Sequence, residues 1–247
     1  MVTTSVAMMK VMEERGIHAD VAAGLSLGEY CALVAAGVMT ADDAIRTVRE
    51  RGILMQEAVP AGVGGMSAVL GMTADEINAV VDEIPNVQVA NYNCPGQIVI
   101  SGLKEAVEIA AVKLKEAGAR RVIPLNVSGP FHSYLLEEAG EKLGKFLENI
   151  PVSEPVIPYV ANVTAAYVTK AEDVKPLLTR QVSSSVRWQQ SVETMLADGV
   201  DRFIEIGPGK TLAGFIRKIN REATVINIEK FVIEIKTKKG TGLMVPK

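Results

Sequence analysis

A chain of 247 residues, 48% hydrophobic and 22% charged, carries enough apolar sequence to bury a sizeable core in one large domain or two small ones. Its formal net charge of −3 supplies no global basic field, which argues against nucleic acid as the main partner. Two cysteines, Cys31 and Cys94, and two histidines, His18 and His132, are too few for a disulfide framework or a tetrahedral metal cage, and no apolar run reaches the roughly 18 residues of a membrane span.

The chain begins with MVTTSVAMMKVMEERG, which reads as an amphipathic helix over 4–15 stopped at Gly16 rather than as a signal peptide, so the cytoplasm is the expected compartment. VAAG at 21–24 is a short buried strand, 27–36 a helix of small residues, and 40–58 a helix opened by the cap-like TADD. Gly62, Gly64 and Gly65 mark a hinge. Beyond it come the strand MSAVLG, the helix TADEINAVVDEI, the strand pair VQVANYN and QIVISG around Cys94, Pro95 and Gly96, the helix KEAVEIAAVKLKEAGA and the strand RRVIPLNVS. That is the βαββαβ order of a ferredoxin-like module, predicted for 62–128. After Gly129 the pattern continues with a helix over 134–149, the strand IPYVANV, a helical stretch ending near Arg180, a helix over 192–198, the strand RFIEIG and a helix over 211–220. Alternating strands and helices predict an α/β fold. Its large domain is read as discontinuous, from 1–61 and 129–230, with 231–247 as a divergent tail.

GLSLGEY places Ser26 between Gly24 and Gly28, matching the GxSxG spacing of a nucleophile elbow, in which a sharp strand-to-helix turn lifts the hydroxyl clear of the sheet. A small residue in a tight turn is the plainer reading. The strand before and the helix after favour the elbow, since the backbone N–H of Leu27 and the helix N-terminus then face a developing oxyanion. The hydroxyl needs a base. His18 reads as an exposed loop residue beside Ala19 and Asp20. His132, in NVSGPFHS, follows a strand expected to end over 126–128, where α/β sheets gather their functional groups, and is the better base. The alternative for His132 is a helix-start histidine satisfied by local polar groups. Arg51 falls on the apolar face of its helix with Ala44, Thr47, Val48, Leu54, Met55 and Ala58, and a buried guanidinium needs an anion. That anion is either a structural carboxylate elsewhere in the fold or a carboxylate on the substrate, which the planar fork grips bidentately. GPGKT at 207–211 looks like the end of a phosphate-binding loop, but the glycine required five positions before Gly209 is Ile204, so no nucleotide site is expected.

With Ser26, Arg51 and His132 in place, the sequence resembles the malonyl-CoA:acyl carrier protein transacylases, and more distantly the acyltransferase domains of polyketide synthases. GLSLGEYCALVAAGV, RGILMQEAVP, NYNCPGQIVISG, GPFH and EIGPGKTLAGFI match five family motifs in order, over about 3–230. The resemblance implies an α/β hydrolase-like large domain with an inserted ferredoxin-like small domain. It implies that Ser26 attacks the thioester of malonyl-CoA while His132 moves the proton, in a ping-pong transfer to the phosphopantetheine thiol of acyl carrier protein. It further implies that a carbonyl at Gln181 orients the histidine, that Leu27 supplies an oxyanion N–H, and that Arg51 binds the malonyl carboxylate. Asn91 and Met55 are implied to line the pocket, and Phe131 to follow the malonyl-selective pattern. No metal and no cofactor of its own is implied, since the phosphopantetheine belongs to the partner.

Three departures bear on these expectations. Leu25 stands where the family commonly has a histidine, a position that is not the base. The family normally opens with a further segment that holds a first strand and a glutamine–glycine loop of the oxyanion hole, and the matching motifs start after it. A core strand slot and one oxyanion donor are therefore expected to be empty here. The tail FVIEIKTKKGTGLMVPK does not follow the family pattern. Two other readings use the same elbow: a serine esterase or thioesterase, which expects a later histidine than His132, and a truncated, inactive acyltransferase-like module that binds a carrier protein or synthase.

Overall fold

The computed structural model describes residues 1–229 and the backbone of 233–237 and 240–244. Helix α1 (Val2–Glu14) buries Val2, Val6, Met8 and Met12. Strand β1 (Ala22–Ala23) leads into α2 (Gly28–Ala35), an apolar helix that buries Tyr30, Ala32, Leu33 and Val34 together with the acid Glu29. Helix α3 (Ala41–Ala58) starts where the TADD pattern predicts: Thr40 Oγ1 accepts from the Asp43 N–H at 3.1 Å, which satisfies one of the helix's orphan donors. The face it buries carries Ala44, Thr47, Arg51 and Met55, four residues that the helical period puts on one side.

The next stretch runs β2 (Gly64–Leu70), α4 (Ala74–Val81), β3 (Val87–Cys94), β4 (Gln97–Leu103), α5 (Lys104–Glu116) and β5 (Arg121–Pro124). Its four strands form one antiparallel sheet in the order β3-β4-β2-β5. Thr73 and Glu76 close a capping box on α4. Ile77, Val81, Val107, Ala110 and Leu114 cover one face of the sheet. Strand β5 stops at Pro124, shorter than the predicted RRVIPLNVS, because the chain beyond it leaves the sheet edge to form the loop that carries His132.

After that loop come α6 (Glu137–Glu148), the short strands β6 (Tyr159–Val160) and β7 (Tyr167–Val168), α7 (Ala171–Gln181), α8 (Trp188–Ala197), β8 (Arg202–Ile206), α9 (Thr211–Ile219) and β9 (Thr224–Ile228). Strand β1 runs parallel to β6, β8 runs parallel to β9, and β7 pairs antiparallel with β6. The fold is therefore α/β. The predicted strands VAAG and IPYVANV keep only two paired residues each, and β7 and β9 are strands that the sequence pattern leaves unmarked. Leu33 of α2, Leu143 and Leu147 of α6 and Leu178 of α7 are fully buried in one core cluster, each contributing roughly 1.5–3 kcal/mol of transfer free energy. Ala23 of β1 and Phe203 of β8 both line a cavity of about 1400 Å³. Among the described residues no helix is long and apolar enough to cross a membrane. Of the tail at 231–247, the backbone of β10 (Ile233–Thr237) and β11 (Gly240–Met244) pairs antiparallel, and the rest lies outside the described residues.

Candidate active site

The elbow forms between β1 and α2. Ser26 sits at φ 52°, in the left-handed region that non-glycine residues rarely adopt, and its N–H donates to Asn162 Oδ1 at 2.6 Å. Asn162 also donates from its amide nitrogen to the Gly24 carbonyl at 2.7 Å, so one side chain ties both ends of the turn. Of the two flanking glycines only Gly24 is sterically required. A Cβ there would lie 2.0 Å from the Gly28 carbonyl oxygen, whereas a Cβ on Gly28 meets nothing within 4 Å. Gly24→Ala should thus force the backbone of the elbow to move, lowering stability by about 3 kcal/mol or more and cutting acylation with it. Gly28→Ala should leave the melting temperature close to that of the parent, and thermal unfolding of the pair makes the comparison.

His132 is buried, at φ 57°, in the loop after β5. It does not stand at the carboxyl end of a parallel strand, as its sequence neighbourhood suggested. The loop is pinned from two sides. Gln88 on β3 donates to the His132 carbonyl at 3.2 Å and accepts the Tyr134 N–H at 3.0 Å. The ring is oriented by a main-chain oxygen: His132 Nδ1 lies 2.9 Å from the Gln181 carbonyl at the end of α7. A carbonyl only accepts, so Nδ1 carries the proton and Nε2 presents its lone pair. Nε2 is 2.7 Å from Ser26 Oγ. Burial, with the Arg51 charge adding to it, lowers the imidazole pKa to about 4, which keeps the ring neutral and able to accept.

Arg51 enters from α3 and is 6% exposed. Its Nη2 donates to Ser26 Oγ at 3.0 Å and to Gln181 Oε1 at 3.2 Å. Ser26 Oγ thereby accepts from a cation while its own proton is directed at His132. Among the described residues no carboxylate lies within 4.0 Å of the guanidinium, and its Nε is buried without a hydrogen-bond partner. Ser26, Arg51, Met55, Asn91, Phe131 and His132 all line one cavity of about 470 Å³, closed by Met66, Val99 and Leu125 from the antiparallel sheet and the chain that follows it. The larger cavity includes neither Ser26 nor His132 in its lining. Leu27 borders that larger cavity, and its N–H makes none of the hydrogen bonds of the described residues, which leaves it free to donate beside the nucleophile.

A buried polar frame surrounds these groups. Glu29, 1% exposed on α2, accepts from Gln181 Nε2 at 2.7 Å and from the Asn162 N–H at 3.2 Å. Burial raises its pKa to about 7 against the lowering effect of these two bonds and of Arg51. Gln181 Nε2 also donates to the Ser26 carbonyl at 3.0 Å. Sequence reading missed Glu29, Asn162 and Gln88. Each is a polar residue inside an apolar run, in GEYCALV, YVANV and VQVAN, and that interruption was the available signal. His18 is exposed in the loop after α1. The GPGK turn is filled from within: both oxygens of Glu205 accept from the first N–H groups of α9, Leu212 at 3.0 Å and Ala213 at 2.9 Å, which occupies the helix N-terminus with a carboxylate.

A family model of the acyl transferase domain matches residues 1–244. The chain belongs to the acyl transferase family. Among curated relatives it is 48% identical over 232 residues to the malonyl CoA-acyl carrier protein transacylase of Bacillus subtilis strain 168, covering 92% of this chain and 73% of the relative. It is 41% identical to the protein of the same name from Staphylococcus aureus strain MRSA252, covering 93% and 75%. Among solved structures, this acyl transferase chain superimposes on an acyl carrier protein S-malonyltransferase from Vibrio cholerae with a TM-score of 0.90 and 43% identity, covering 92% of this chain and 76% of that one. It superimposes equally on a malonyl-transacylase solved in complex with its type II PKS acyl-carrier protein, with a TM-score of 0.89 and 42% identity, covering 92% and 75%.

Proposed function

We propose that this acyl transferase moves a malonyl group from malonyl-CoA to the phosphopantetheine thiol of an acyl carrier protein, through a malonyl ester on Ser26. The observation that carries the reading is Arg51, a buried cation that has no carboxylate partner among the described residues and shares its cavity with Ser26 and His132. A malonyl group carries its free carboxylate two bonds beyond the thioester carbonyl carbon, so an acyl group seated for attack by Ser26 presents that charge close by. His132 Nε2 takes the Ser26 proton as Oγ bonds to the thioester carbon, and the N–H of Leu27 receives the oxyanion. On collapse the carbon–sulfur bond breaks and His132 returns the proton to the departing thiolate of coenzyme A. The carrier thiol then repeats the sequence in reverse, losing its proton to His132 and releasing Ser26. Gln181 holds the imidazole through its carbonyl, which fills the orienting role of an acid in serine hydrolases. Phe131, Met55 and Asn91 shape the acyl pocket, and Phe131 favours malonyl over branched analogues.

The βαββαβ run with sheet order β3-β4-β2-β5 fits a ferredoxin-like unit over 62–128, inserted into an α/β hydrolase-like unit built from 1–61 and 129–230. The acyl pocket lies where the two meet. The reaction asks for no metal and no resident cofactor, and the cytoplasm is its proposed setting.

Intact mass after incubation with malonyl-CoA should rise by one malonyl group, and the added mass should disappear when a holo-acyl carrier protein is supplied. Loss of the group to water at an unchanged rate without the carrier would favour an esterase instead. Acylation should also depend on pH in a specific sense. A depressed histidine pKa means the neutral base persists as pH falls through 6.5 and is lost only toward about 4. Rates of malonyl-enzyme formation should therefore hold well below pH 6.5, and an acid limb centred at 6.5 would contradict the buried, neutral imidazole.

A further inference from the structure

We infer that Glu29, which the transfer chemistry does not touch, is a positioning residue that sets the acyl selectivity of the site by fixing the side-chain amide of Gln181. The inference rests on the malonyl reading above and deepens it. Glu29 lies one turn beyond Ser26 on α2 and is an acceptor for both groups that reach it, Gln181 Nε2 and the Asn162 N–H. Gln181 Nε2 also meets the Ser26 carbonyl. Two acceptors on one side of the amide demand that the NH₂ face them, which turns Oε1 toward Arg51 Nη2 at 3.2 Å. If the amide flipped, its NH₂ would oppose a guanidinium donor and its oxygen would oppose two acceptors. Glu29 therefore determines which end of Gln181 the arginine sees.

The indirect arrangement has a physical reason. A carboxylate in direct contact with Arg51 would hold it firmly but would compete with the carboxylate of the substrate for the same donors. A neutral amide oxygen orients the guanidinium without neutralising it, and the anion behind the amide balances the buried charge at a distance. Either protonation state of Glu29 leaves an acceptor oxygen for Gln181. Its second partner, Asn162, holds the elbow, so the same acid aligns the nucleophile with the arginine.

The test compares second-order rates of malonyl-enzyme and acetyl-enzyme formation, with melting temperatures, for the parent, Arg51→Ala, Glu29→Asp and Glu29→Gln. Aspartate keeps the charge but withdraws the acceptor by one methylene, and should lower the malonyl-to-acetyl rate ratio at least threefold. Glutamine restores an acceptor at full reach without the charge and should recover at least half of that loss. In a Gln181→Met background, Glu29→Asp should leave the ratio unchanged, because the amide it acts through is gone. A folded Glu29→Asp protein with the parental ratio overturns the inference. So does a ratio change that persists at full size without the Gln181 amide. If Glu29→Asp does not fold, Glu29→Gln alone decides: a ratio kept within twofold of the parent supports positioning by the acceptor, and a collapse of the ratio overturns it. Should Arg51→Ala leave the ratio unchanged, the carboxylate clamp falls and this inference with it. A lowered ratio in Arg51→Ala beside a parental ratio in Glu29→Asp removes the inference alone.

Discussion

Ser26→Ala should abolish the malonyl-enzyme while leaving the fold in place. Only the hydroxyl can form the ester, and only it lies 2.7 Å from the lone pair of His132 Nε2. The turn does not depend on that oxygen. It is held by the Ser26 N–H on Asn162, by the Asn162 amide on Gly24 and by the bare Cα of Gly24, none of which the substitution alters. Alanine retains the Cβ, so the left-handed backbone costs the same as before. What is lost is the pair of hydrogen bonds at Oγ, to Arg51 and His132, worth roughly 1 kcal/mol each. Both partners face the cavity and keep a second bond to Gln181, so the net change should be about 1 kcal/mol, a shift of about 2–4 °C in melting temperature. Intact mass with malonyl-CoA and a thermal scan make the test together. An adduct of undiminished yield in the variant would remove Ser26 from the chemistry, and a collapsed fold would mean that the hydroxyl is structural.

How far the site could be read before the fold was known follows from where its parts sit in the sequence. Ser26 is legible because the elbow is local: glycine, strand and helix lie within a few residues, and the turn imposes its spacing on the chain. Arg51 is legible because helical periodicity puts it on a buried face, which requires no knowledge of what it faces. His132 is legible from the GPFH motif, whereas the strand-end placement expected from its neighbourhood does not hold, since the strand before it belongs to an antiparallel sheet and ends at Pro124. Most of the frame behind them is not legible. Asn162 meets Ser26 across 136 residues of sequence, and no local pattern encodes a contact at that separation, while Gln181, 155 residues from Ser26, is named only through the family resemblance. The same holds for strands. Ladders such as β3 with β4 come from adjacent hairpin segments and were placed correctly. The two-residue strands β1 and β6 depend on partners far along the chain, and their extent could not be read from propensity.

Arg51→Ala should separate the two readings that its burial leaves open. If the guanidinium receives the malonyl carboxylate, its removal leaves that charge unpaired in a poorly solvated cavity, at a cost of about 3–5 kcal/mol, or roughly two to four orders of magnitude in the acylation rate. Acetyl transfer should survive. Acetyl carries no charge into the pocket, and the smaller side chain enlarges a cavity that Met55 and Phe131 already line. A modest fall for both acyl groups is expected on top, because Arg51 Nη2 also donates to Ser26 Oγ and supports its alignment with His132. The balance of buried charge sharpens the prediction. With no carboxylate in contact among the described residues, Arg51 draws on the Ser26 hydroxyl, on the amide of Gln181 and on Glu29 behind it, while burial lowers the guanidinium pKa from its usual value. Removing such a cation relieves a desolvation cost, so the melting temperature should hold or rise rather than drop. A structural ion pair behaves in the opposite way, losing stability and both acyl transfers together. Acylation rates with malonyl-CoA and acetyl-CoA, read beside the melting temperature, distinguish the two, and an equal loss for both substrates would show that Arg51 does not hold the carboxylate.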